Sequence, residues 1–540
     1  MKGTALRLSQ SKAALLFLRH RSGRALTARV LLCAMAPLAQ PTTEIAQFAA
    51  LQARLAPLFR AVFADPAAPR TVVIVPGLSL DQELLCRIDG LQHYEERQLT
   101  MLMLLRLPNT RLVFVTSTPI DPIIIDYYLN LLPGVPHAHA QRRLTLLSAY
   151  DASQATLTRK ILDRPRLMAR IRDAIGDPLL AHLSCFNVTA LERALAVALG
   201  IPLYGCDPEL AALGSKSGSR AVFRAAGVPM PAGYENLRDA RDVAQALVAL
   251  RSADLSLERA VVKLNDGASG EGNAVFALTG APPGAGALAR WIETELPRRL
   301  VFEAPGETWP HYLGKLEAMG GIVEAWVSGS GKRSPSVQLR VTPTATLEVI
   351  STHDQVLGGS TGQKFLGATF PADQAYRLAI QQLASRVGEV LCARGVIGRF
   401  SVDFVSVPGA NGAWQHQAIE INLRKGGTTH TFQTLQYLTN GRFDPATGEF
   451  AVPTGQKRVY YATDNLQKPA YRSLTPDDLI DISVAHGLHF DQTRLEGVTF
   501  NLIGALSEFG KLGAVVIADA PSRARELFDL TASILDRETG

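Results

Sequence analysis

Apolar runs and helical stretches alternate along the first part of the chain. Residues 71–75 and 111–116 are β-branched runs that end at turn residues, which predicts two buried strands. Segments 156–175 and 189–199 are both predicted to be helices, and the second ends at Gly200, a typical helix stop. Because strands that alternate with helices form parallel sheets, the pattern predicts an α/β unit over 70–205.

Two lysines follow in the next part of the chain. One precedes a predicted helix, and the other lies in a predicted strand. Lys216 stands in a loop that leads into a helix ending at Gly227. Residues 259–276 read RAVVKLNDGASGEGNAVF, which predicts a strand holding Lys263, a glycine-rich loop over 266–272 and a returning strand. Such a loop leaves backbone N–H groups free to wrap phosphate oxygens. A glycine-rich hairpin alone is more often only a turn, so the phosphate interpretation depends on residues further along the chain.

Two later strands carry polar residues within apolar runs. The first alternates around Asp403, and the second places Glu420 and Asn422 on one face because strand side chains alternate. If the two strands pair, Asp403 joins the other two and provides oxygen ligands of the kind that Mg²⁺ prefers beside phosphates. A buried structural network is the alternative for the same residues. Arg424 follows and adds a cation at the same strand end.

Composition and charge exclude several classes of protein. The 540 residues are 47% apolar and 19% charged, which excludes disorder for most of the chain. Segment 1–40 contains seven Lys and Arg and no acid, and removing these seven from the 55 leaves 48 against 49 Asp and Glu. A general nucleic-acid surface is therefore not expected. No apolar run reaches the roughly 18 residues that a membrane-spanning helix needs, so no membrane partner is expected.

Two features bear on the cellular compartment. The five cysteines are scattered and odd in number, which indicates core thiols in a reducing cytoplasm. The basic segment 1–40 is open to three interpretations. It has the composition of a mitochondrial transit peptide, it could be translated upstream DNA with Met35 as the start, and it could be a disordered tail that binds anions.

The order of these elements resembles the ATP-grasp superfamily. The matching elements are the loop and helix at Lys216, the strand with Lys263, the glycine flap, the hinge strand GIVEAWV with Glu324, Asp403, and the Glu420-x-Asn422 pair. The segments KRSPSVQLR, STHDQVLGG and EINLRKGGTTH, together with DYYLNLLPG, are similar to pheganomycin-type peptide ligases over about 70–540. The resemblance implies an α/β chain with a pre-ATP-grasp parallel-sheet domain over 70–205, an ATP-grasp domain of two α+β subdomains over 206–440, and a small C-terminal domain over 441–540.

The same resemblance implies an ATP-dependent carboxylate–amine ligase of the peptide-ligase type. A carboxylate would take the γ-phosphoryl group of ATP, and an amine would attack the acyl phosphate, with release of ADP and phosphate. ATP and Mg²⁺ or Mn²⁺ would be required, and the partners would be a small-molecule acid and an amine such as an amino acid or peptide. Two alternatives stay open: an ATP-grasp phosphotransferase and an ATP-binding regulatory protein without ligase turnover.

Roles for individual residues follow from the resemblance. The expected nucleotide site consists of Lys216, Lys263, Ser269, Gly270, Gly272, Glu324, Trp326 and Val327. The lysines would hold the phosphates, the flap would cover them, and the hinge strand would read the adenine. Asp403, Glu420 and Asn422 would bind the metal ions. Arg424 would stabilise the transferring γ-phosphoryl group or the acyl phosphate.

The segment after the hinge strand departs from the family pattern. It has no acid that could hold the ribose, and it carries Lys332, Arg333 and Arg340 instead. These cations could hold a substrate carboxylate, with Arg340 as a catalytic residue, or they could form a solvated charge cluster. His353 stands beside Asp354 in a predicted loop. It could accept the proton of the attacking amine, or the pair could stabilise a turn.

Overall fold

The computed structural model describes residues 43–79, 88–267, 270, 272–358, 362, 364–409 and 411–540. The basic segment 1–40 and Ser269 lie outside these residues. Residues from Glu44 to Gly540 belong to one unit. Within the described residues, no helix combines the length and the apolar character that crossing a membrane requires.

A parallel sheet opens the described part of the chain. Its strands are β1 (Arg70–Val75), β2 (Thr110–Thr116), β3 (Leu144–Ser148) and β4 (Ala181–Cys185), in the order β3-β2-β1-β4. The helices of this region run Glu44–Gln52, Leu55–Ala64, Pro122–Asn130, His137–Gln141, Leu157–Leu162, Pro165–Ile175 and Ala190–Leu199, with a 3₁₀ helix over Leu91–Arg106. Helices cover both faces of β1 and β2, which explains their continuous apolar runs. The predicted α/β unit is confirmed.

One helical segment is divided where the periodicity alone predicts continuity. The stretch 156–175 forms two helices, and the second begins at Pro165. Proline fits the first turn of a helix, where its missing N–H is not needed, but it cannot continue a helix from the preceding turn. The break therefore follows from a single residue.

A first antiparallel sheet carries the lysine strand and the flap. Its strands are β5 (Gly233–Leu237), β6 (Arg259–Leu264), β7 (Asn273–Ala277), β8 (Leu300–Phe302) and β9 (Gly321–Ala325), in the order β5-β9-β6-β7-β8. Three helices pack on it around one apolar core: Ala240–Ala253, Ala285–Arg299 and Trp309–Met319. The predicted strand with Lys263 is β6, and the glycine-rich loop joins it to β7. In that loop, Gly270 has a φ of +84°, a conformation that favours glycine.

A second antiparallel sheet carries the acidic strands. It contains β10 (Pro335–Val341), β11 (Leu347–Gly358), β12 (Lys364–Phe370), β13 (Gly398–Pro408) and β14 (Trp414–Asn422). The short strands β15 (Arg442–Asp444) and β16 (Glu449–Ala451) pair separately, and β17 (Val459–Gln467), β18 (Gly497–Asn501) and β19 (Lys511–Ala518) complete the main sheet. Its order is β14-β13-β10-β11-β12-β17-β19-β18. The associated helices are Lys216–Ala226, Arg377–Ala393, Gly427–Thr439, Pro476–Ala485, Leu506–Phe509 and Pro521–Glu538.

The sheet therefore continues from the predicted ATP-grasp segment into the C-terminal residues. Strand β12 pairs with β17, through contacts such as Gly367 with Thr463. The domain boundaries at 205 and 440 stay predictions, since strand pairing alone does not define where a domain ends.

The start of the helix Lys216–Ala226 depends on a glycine. A Cβ atom at Gly218 would lie 1.9 Å from the backbone oxygen of Ala212, so any side chain there forces the backbone apart. We predict that Gly218→Ala lowers the free energy of unfolding by more than about 2 kcal/mol. Gly314→Ala is the matched control, because nothing lies within 4 Å of its added Cβ.

In the helix Trp309–Met319, alanine at position 314 should instead raise stability by about 0.5–1 kcal/mol. Denaturant unfolding of both variants tests the pair. Equal stability of the Gly218→Ala variant and the wild type would contradict the close approach.

Candidate nucleotide and ligase site

A cavity of about 360 Å³ is lined by residues of both antiparallel sheets. Residues of the parallel-sheet region, such as Phe186, and of the C-terminal region, such as Lys511, complete its wall. Most of the predicted site residues line it: Lys216, Lys263, Gly270, Gly272, Glu324, Trp326, Val327, Asp403, Glu420, Asn422 and Arg424. These residues come from segments more than 200 positions apart, and the fold brings them to one place. The cavity is therefore the candidate site.

Two lysines meet carboxylates at the cavity wall. Lys216 is the first residue of its helix, and its Nζ donates to Glu420 Oε1 at 2.6 Å. Lys263 projects from β6, and its Nζ donates to Glu324 Oε2 at 2.7 Å. Each lysine is 7% exposed. Two ammonium groups are thus held at one cavity, where they can meet the oxygens of a polyphosphate.

Glu324 connects Lys263 to a second cation. It is 2% exposed, and its Oε1 accepts from Arg220 Nη1 at 2.6 Å. Arg220 lies four positions after Lys216 on the same helix, so both cations project from one helix face. Arg220 also donates to Glu235 Oε2 at 3.1 Å. The Glu324 carboxylate therefore holds two cations in place beneath the hinge strand.

Strand register places the predicted metal ligands together. Asp403 on β13 stands opposite Glu420 on β14, with a bulge directly after Asp403. Ser336 Oγ donates to Asp403 Oδ1 at 2.6 Å, and Asn422 Nδ2 donates to Asp403 Oδ2 at 3.1 Å. The predicted pairing of the two strands is confirmed.

The surroundings of the two carboxylates shift their pKa values in opposite directions. Burial and then the charge of Glu420 raise the pKa of Asp403 to about 6. Burial alone would also raise the pKa of Glu420, but the charge and hydrogen bond of Lys216 lower it. The structure thus places two neighbouring carboxylates with only one of them paired to a lysine. A cation between them would relieve their repulsion.

This donor set fits a magnesium ion. Carboxylate and amide oxygens are hard ligands, and Mg²⁺ is held in proteins by one or two carboxylates together with substrate phosphates. Among the described residues, no cluster of three or more His, Cys, Asp or Glu side chains suited to a metal occurs. The site at Asp403 and Glu420 has only two carboxylates, because its third side chain, Asn422, is an amide.

Arg424 lies just beyond β14 and still reaches the cavity. Its Nη1 donates to the backbone oxygen of Lys425 at 3.1 Å, and its guanidinium carbon lies 5.8 Å from the ring centroid of Phe186. Burial lowers the pKa of Arg424, while Glu420 and Asp403 act in the opposite direction. Its charge is therefore coupled to both carboxylates.

Two cations lie over the ring of the hinge residue Trp326. The guanidinium of Arg259 lies 4.7 Å from its ring centroid, and the ammonium of Lys332 lies 4.2 Å from it. Cations over an indole face are attracted by the ring quadrupole. Lys332, which the sequence placed where an acid would hold the ribose, thus contacts Trp326 at the cavity wall.

Arg340 and His353 do not join the others. His353 lies within β11, so the predicted loop is wrong, and its side chain is fully buried. Its Nε2 lies 2.7 Å from Tyr460 Oη, and burial lowers its pKa to about 3. The polar run STHDQ suggested a loop, but a strand inside the sheet can carry a histidine that has a buried hydroxyl partner. Arg340 is paired with Glu348 and lines a different cavity.

Three residues of the cavity wall, Arg97, Asp464 and Lys511, were missed from the sequence. Arg97 Nη1 donates to Asp464 Oδ2 at 2.8 Å, across a separation of 367 positions. Lys511 Nζ donates to Tyr94 Oη at 3.1 Å. No local pattern links residues so far apart, so only the folded chain reveals this part of the site.

Comparison with known proteins places these features in a family. Residues 208–281 and 287–446 match the IQCH-like ATP-grasp family, and residues 478–531 match the PGM1 C-terminal domain family. The chain is 30% identical over 470 residues to the L-propargylglycine–L-glutamate ligase of Streptantibioticus cattleyicolor, covering 85% of this chain and 92% of that protein. The chain belongs to the ATP-grasp family. The resemblance to the ATP-grasp superfamily and the α/β fold class, both predicted from the sequence, are confirmed.

Other similarities are more distant. The ATP-grasp chain is 24% identical over 437 residues to IQ motif-containing protein H of Danio rerio, covering 73% of this chain and 41% of that protein. The structure of an ADP complex of N5-carboxyaminoimidazole ribonucleotide synthetase covers 87% of this chain and 98% of its own, with 13% identity and a TM-score of 0.49. Biotin carboxylase of Campylobacter jejuni has 14% identity and a TM-score of 0.48, with 85% of this chain and 90% of its own covered.

The Lys263 ammonium gives a testable prediction. Lys263→Met removes a cation from the cavity but leaves Glu324 paired with Arg220, so the fold should persist. Because a hydrogen bond to a charged group is worth about 1.5–3 kcal/mol, the affinity for ATP should fall by roughly 10- to 100-fold. Titration calorimetry measures this change. Lys457→Met, at an exposed lysine paired with Glu449, should bind ATP as the wild type does. Equal affinities of the two variants would contradict a phosphate contact at Lys263.

Proposed function

We propose that this protein is an ATP-dependent ligase that joins a carboxylate to an amine through an acyl phosphate, with Lys216, Lys263, Glu420 and Arg424 acting at the reacting phosphates. One observation carries the proposal: two lysines, a pair of carboxylates and an arginine converge on a single cavity. A site that only bound nucleotide would not need two carboxylates beside the phosphates, where they repel anionic ligands unless a metal is present. Membership of the ATP-grasp family supports the same conclusion.

The first step forms a mixed anhydride. A carboxylate oxygen of the acid attacks the γ-phosphorus of ATP, the bond between that phosphorus and the β,γ-bridging oxygen breaks, and ADP leaves. Lys216, Lys263 and Arg424 would neutralise the charge that develops on the phosphoryl oxygens. Asp403, Glu420 and Asn422 would hold Mg²⁺, which would supply positive charge beside the reacting phosphates.

The second step forms the amide bond. The amine nitrogen attacks the acyl carbon, the bond to phosphate breaks, and phosphate leaves while the nitrogen loses a proton. The loop over 266–272 joins two strands beside the phosphate-facing Lys263, so it would cover the anhydride and exclude water. We do not assign His353 to this proton, because its side chain is buried away from the cavity.

The part of the cavity wall at Arg97, Asp464 and Lys511 would hold the two organic substrates. Arg97 and Lys511 provide cations there, and Asp464 provides a carboxylate that is bound to Arg97. Amino acids carry groups of both signs, so this part of the wall suits them. The relative in Streptantibioticus is named for two amino acids, L-propargylglycine and L-glutamate, which supports at least one amino-acid substrate.

A cytoplasmic location is part of the proposal. Cys185, Cys206 and Cys392 are free thiols, and the first two are buried. Free buried thiols are typical of proteins that stay in a reducing compartment.

The products distinguish this mechanism from adenylation. The protein should be incubated with ATP, Mg²⁺, hydroxylamine and each of the common amino acids in turn. With a competent acid, hydroxylamine should trap the anhydride as a hydroxamate, and ADP and phosphate should form in equal amounts. Formation of AMP and pyrophosphate would contradict the mechanism. A γ-phosphorylated product that hydroxylamine does not trap would favour the phosphotransferase.

The carboxylate pair gives a second prediction. Glu420→Gln removes a metal-binding charge and the partner of Lys216, so ADP release with a competent acid should fall by at least 100-fold. Asn422→Ala should reduce it to a smaller extent, because an amide contributes less charge than a carboxylate. Glu389→Gln, an exposed position on the helix Arg377–Ala393, is the control and should keep full activity. Circular dichroism should show that all three variants are folded, and full activity of Glu420→Gln would remove the metal assignment.

A further inference from the structure

A second cavity of about 370 Å³ lies on the other side of Phe186 and Arg424, which line both cavities. Its wall contains residues of the parallel sheet, of the acidic sheet and of the helix Leu55–Ala64. None of the residues predicted to bind nucleotide or metal line it. Arg424 is the one residue of the mechanism proposed above that lines the described part of this cavity as well.

The polar lining of the second cavity is strongly cationic. Arg70, Arg340, Arg399 and Lys425 line it along with Arg424, and among the described lining residues there is no Asp or Glu. Lys425 Nζ donates to two neutral groups, Gln98 Oε1 and Ser184 Oγ, each at 2.9 Å. Buried cations with neutral surroundings are costly unless an anion accompanies them.

Strand register concentrates this charge at one point. Arg340 on β10 stands directly opposite Arg399 on β13, and on its other side Arg340 stands opposite Glu348 on β11. Glu348 accepts hydrogen bonds from Arg340. Like charges directly opposite each other destabilise a sheet, and Glu348 forms its ion pair with Arg340. Within the described residues, Arg399 has no carboxylate that it contacts directly.

Two polar atoms at this point have no partner within the described structure. They are Arg399 Nη1 and Tyr204 Oη, both buried, and both residues line the cavity. Burial, and then the charge of Arg340, lower the pKa of Arg399 to about 10. Burial, followed by the charges of Arg70 and Lys425, lowers the pKa of His182 to about 4. His182 therefore stays neutral and provides no negative charge to balance the arginines. This part of the cavity therefore has unused hydrogen-bond donors and an excess of positive charge.

The opposite wall is apolar. Leu55, Leu58, Phe59 and Val62 recur at helical spacing on one face of the helix Leu55–Ala64 and line the cavity. Met101 and Leu104 extend this wall. The basic segment 1–40 has the wrong charge to neutralise the arginines, since it contains no acid. An occupant must bring an anionic group and an apolar body.

We propose that the second cavity binds a small organic carboxylate, with its anionic group at Arg399 and Tyr204 and its apolar body against the helix Leu55–Ala64. The volume of the cavity is in the range of small-molecule sites. This cavity adjoins the proposed ligase site at Phe186 and Arg424, and the test of its ligand does not depend on turnover. The carboxylate could come from two sources, the acid substrate of the enzyme or an effector.

Binding is tested on the full chain with sodium hexanoate as the probe and 1-hexanol as its uncharged counterpart. Saturating MgADP fills the nucleotide site, and sodium chloride keeps the ionic strength equal. Hexanoate should bind in titration calorimetry and raise the melting temperature, and hexanol should do neither. Failure of hexanoate to bind, or equal binding of hexanol, would overturn the proposal.

Arg399→Met is the decisive variant. It should weaken hexanoate binding at least tenfold, yet without hexanoate it should melt at or above the temperature of the wild type, because an unpaired buried cation has been removed. A purely structural arginine would give a lower melting temperature instead. Arg394→Met, at an exposed arginine five positions earlier, is the matched control and should bind as the wild type does. Equal binding by Arg399→Met and the control, or a lower melting temperature of Arg399→Met, would overturn the assignment.

A second variant leaves the charge unchanged. Leu58→Trp fills the apolar end, so it should lose hexanoate but keep acetate, which needs only the cationic end. Retention of hexanoate by Leu58→Trp would overturn the placement of the apolar body. Adding ATP and hydroxylamine distinguishes the two sources of the ligand. If the wild type forms a hydroxamate of hexanoate and Arg399→Met does not, the cavity binds the acid substrate. If hexanoate binds to the wild type but no hydroxamate forms, the cavity binds an effector.

Discussion

The arrangement of the site depends on carboxylates, one buried and one partly buried, that hold cations facing a cavity. Glu324 binds Lys263 and Arg220, and Glu420 binds Lys216. Removing charges from water costs several kcal/mol for each ion, and a buried pair often contributes little net stability. Such pairs are more readily explained by what they position. Here they keep two ammonium groups extended toward one point before any phosphate arrives.

The fold explains how these pairs form from distant parts of the chain. The helix Lys216–Ala226 packs against β14, so Lys216 reaches Glu420 while Arg220, one turn later, reaches Glu324 on β9. One helix therefore connects the strand with metal ligands to the hinge strand. Near its start, this helix passes so close to the backbone oxygen of Ala212 that position 218 has no room for a side chain. The cavity lies between elements that are joined by charge as well as by apolar contacts.

Much of this arrangement could be predicted from the sequence because its signals are local. Period-two alternation placed Glu420 and Asn422 on one face. Asp403 was expected to join them if the two strands paired, and they do pair. The strand–loop–strand pattern around Lys263 was equally direct. The charge network beneath was not predictable, since Arg220 has no pattern that assigns it to Glu324. His353 was placed in a loop because its neighbours are polar, although Tyr460, more than 100 positions away, allows it to be buried. The Arg97–Asp464 pair and the second cavity likewise arise from contacts between remote segments.

A structure determined with ADP and Mg²⁺ tests the central claim most directly. If the carboxylates position the lysines for phosphates, phosphate oxygens should accept hydrogen bonds from Nζ of both Lys216 and Lys263. The contact of 2.6 Å between Lys216 and Glu420 should then open, with Glu420 turned toward the metal ion. Nucleotide bound elsewhere, or bound here with both lysines still joined only to their carboxylates, would contradict the account.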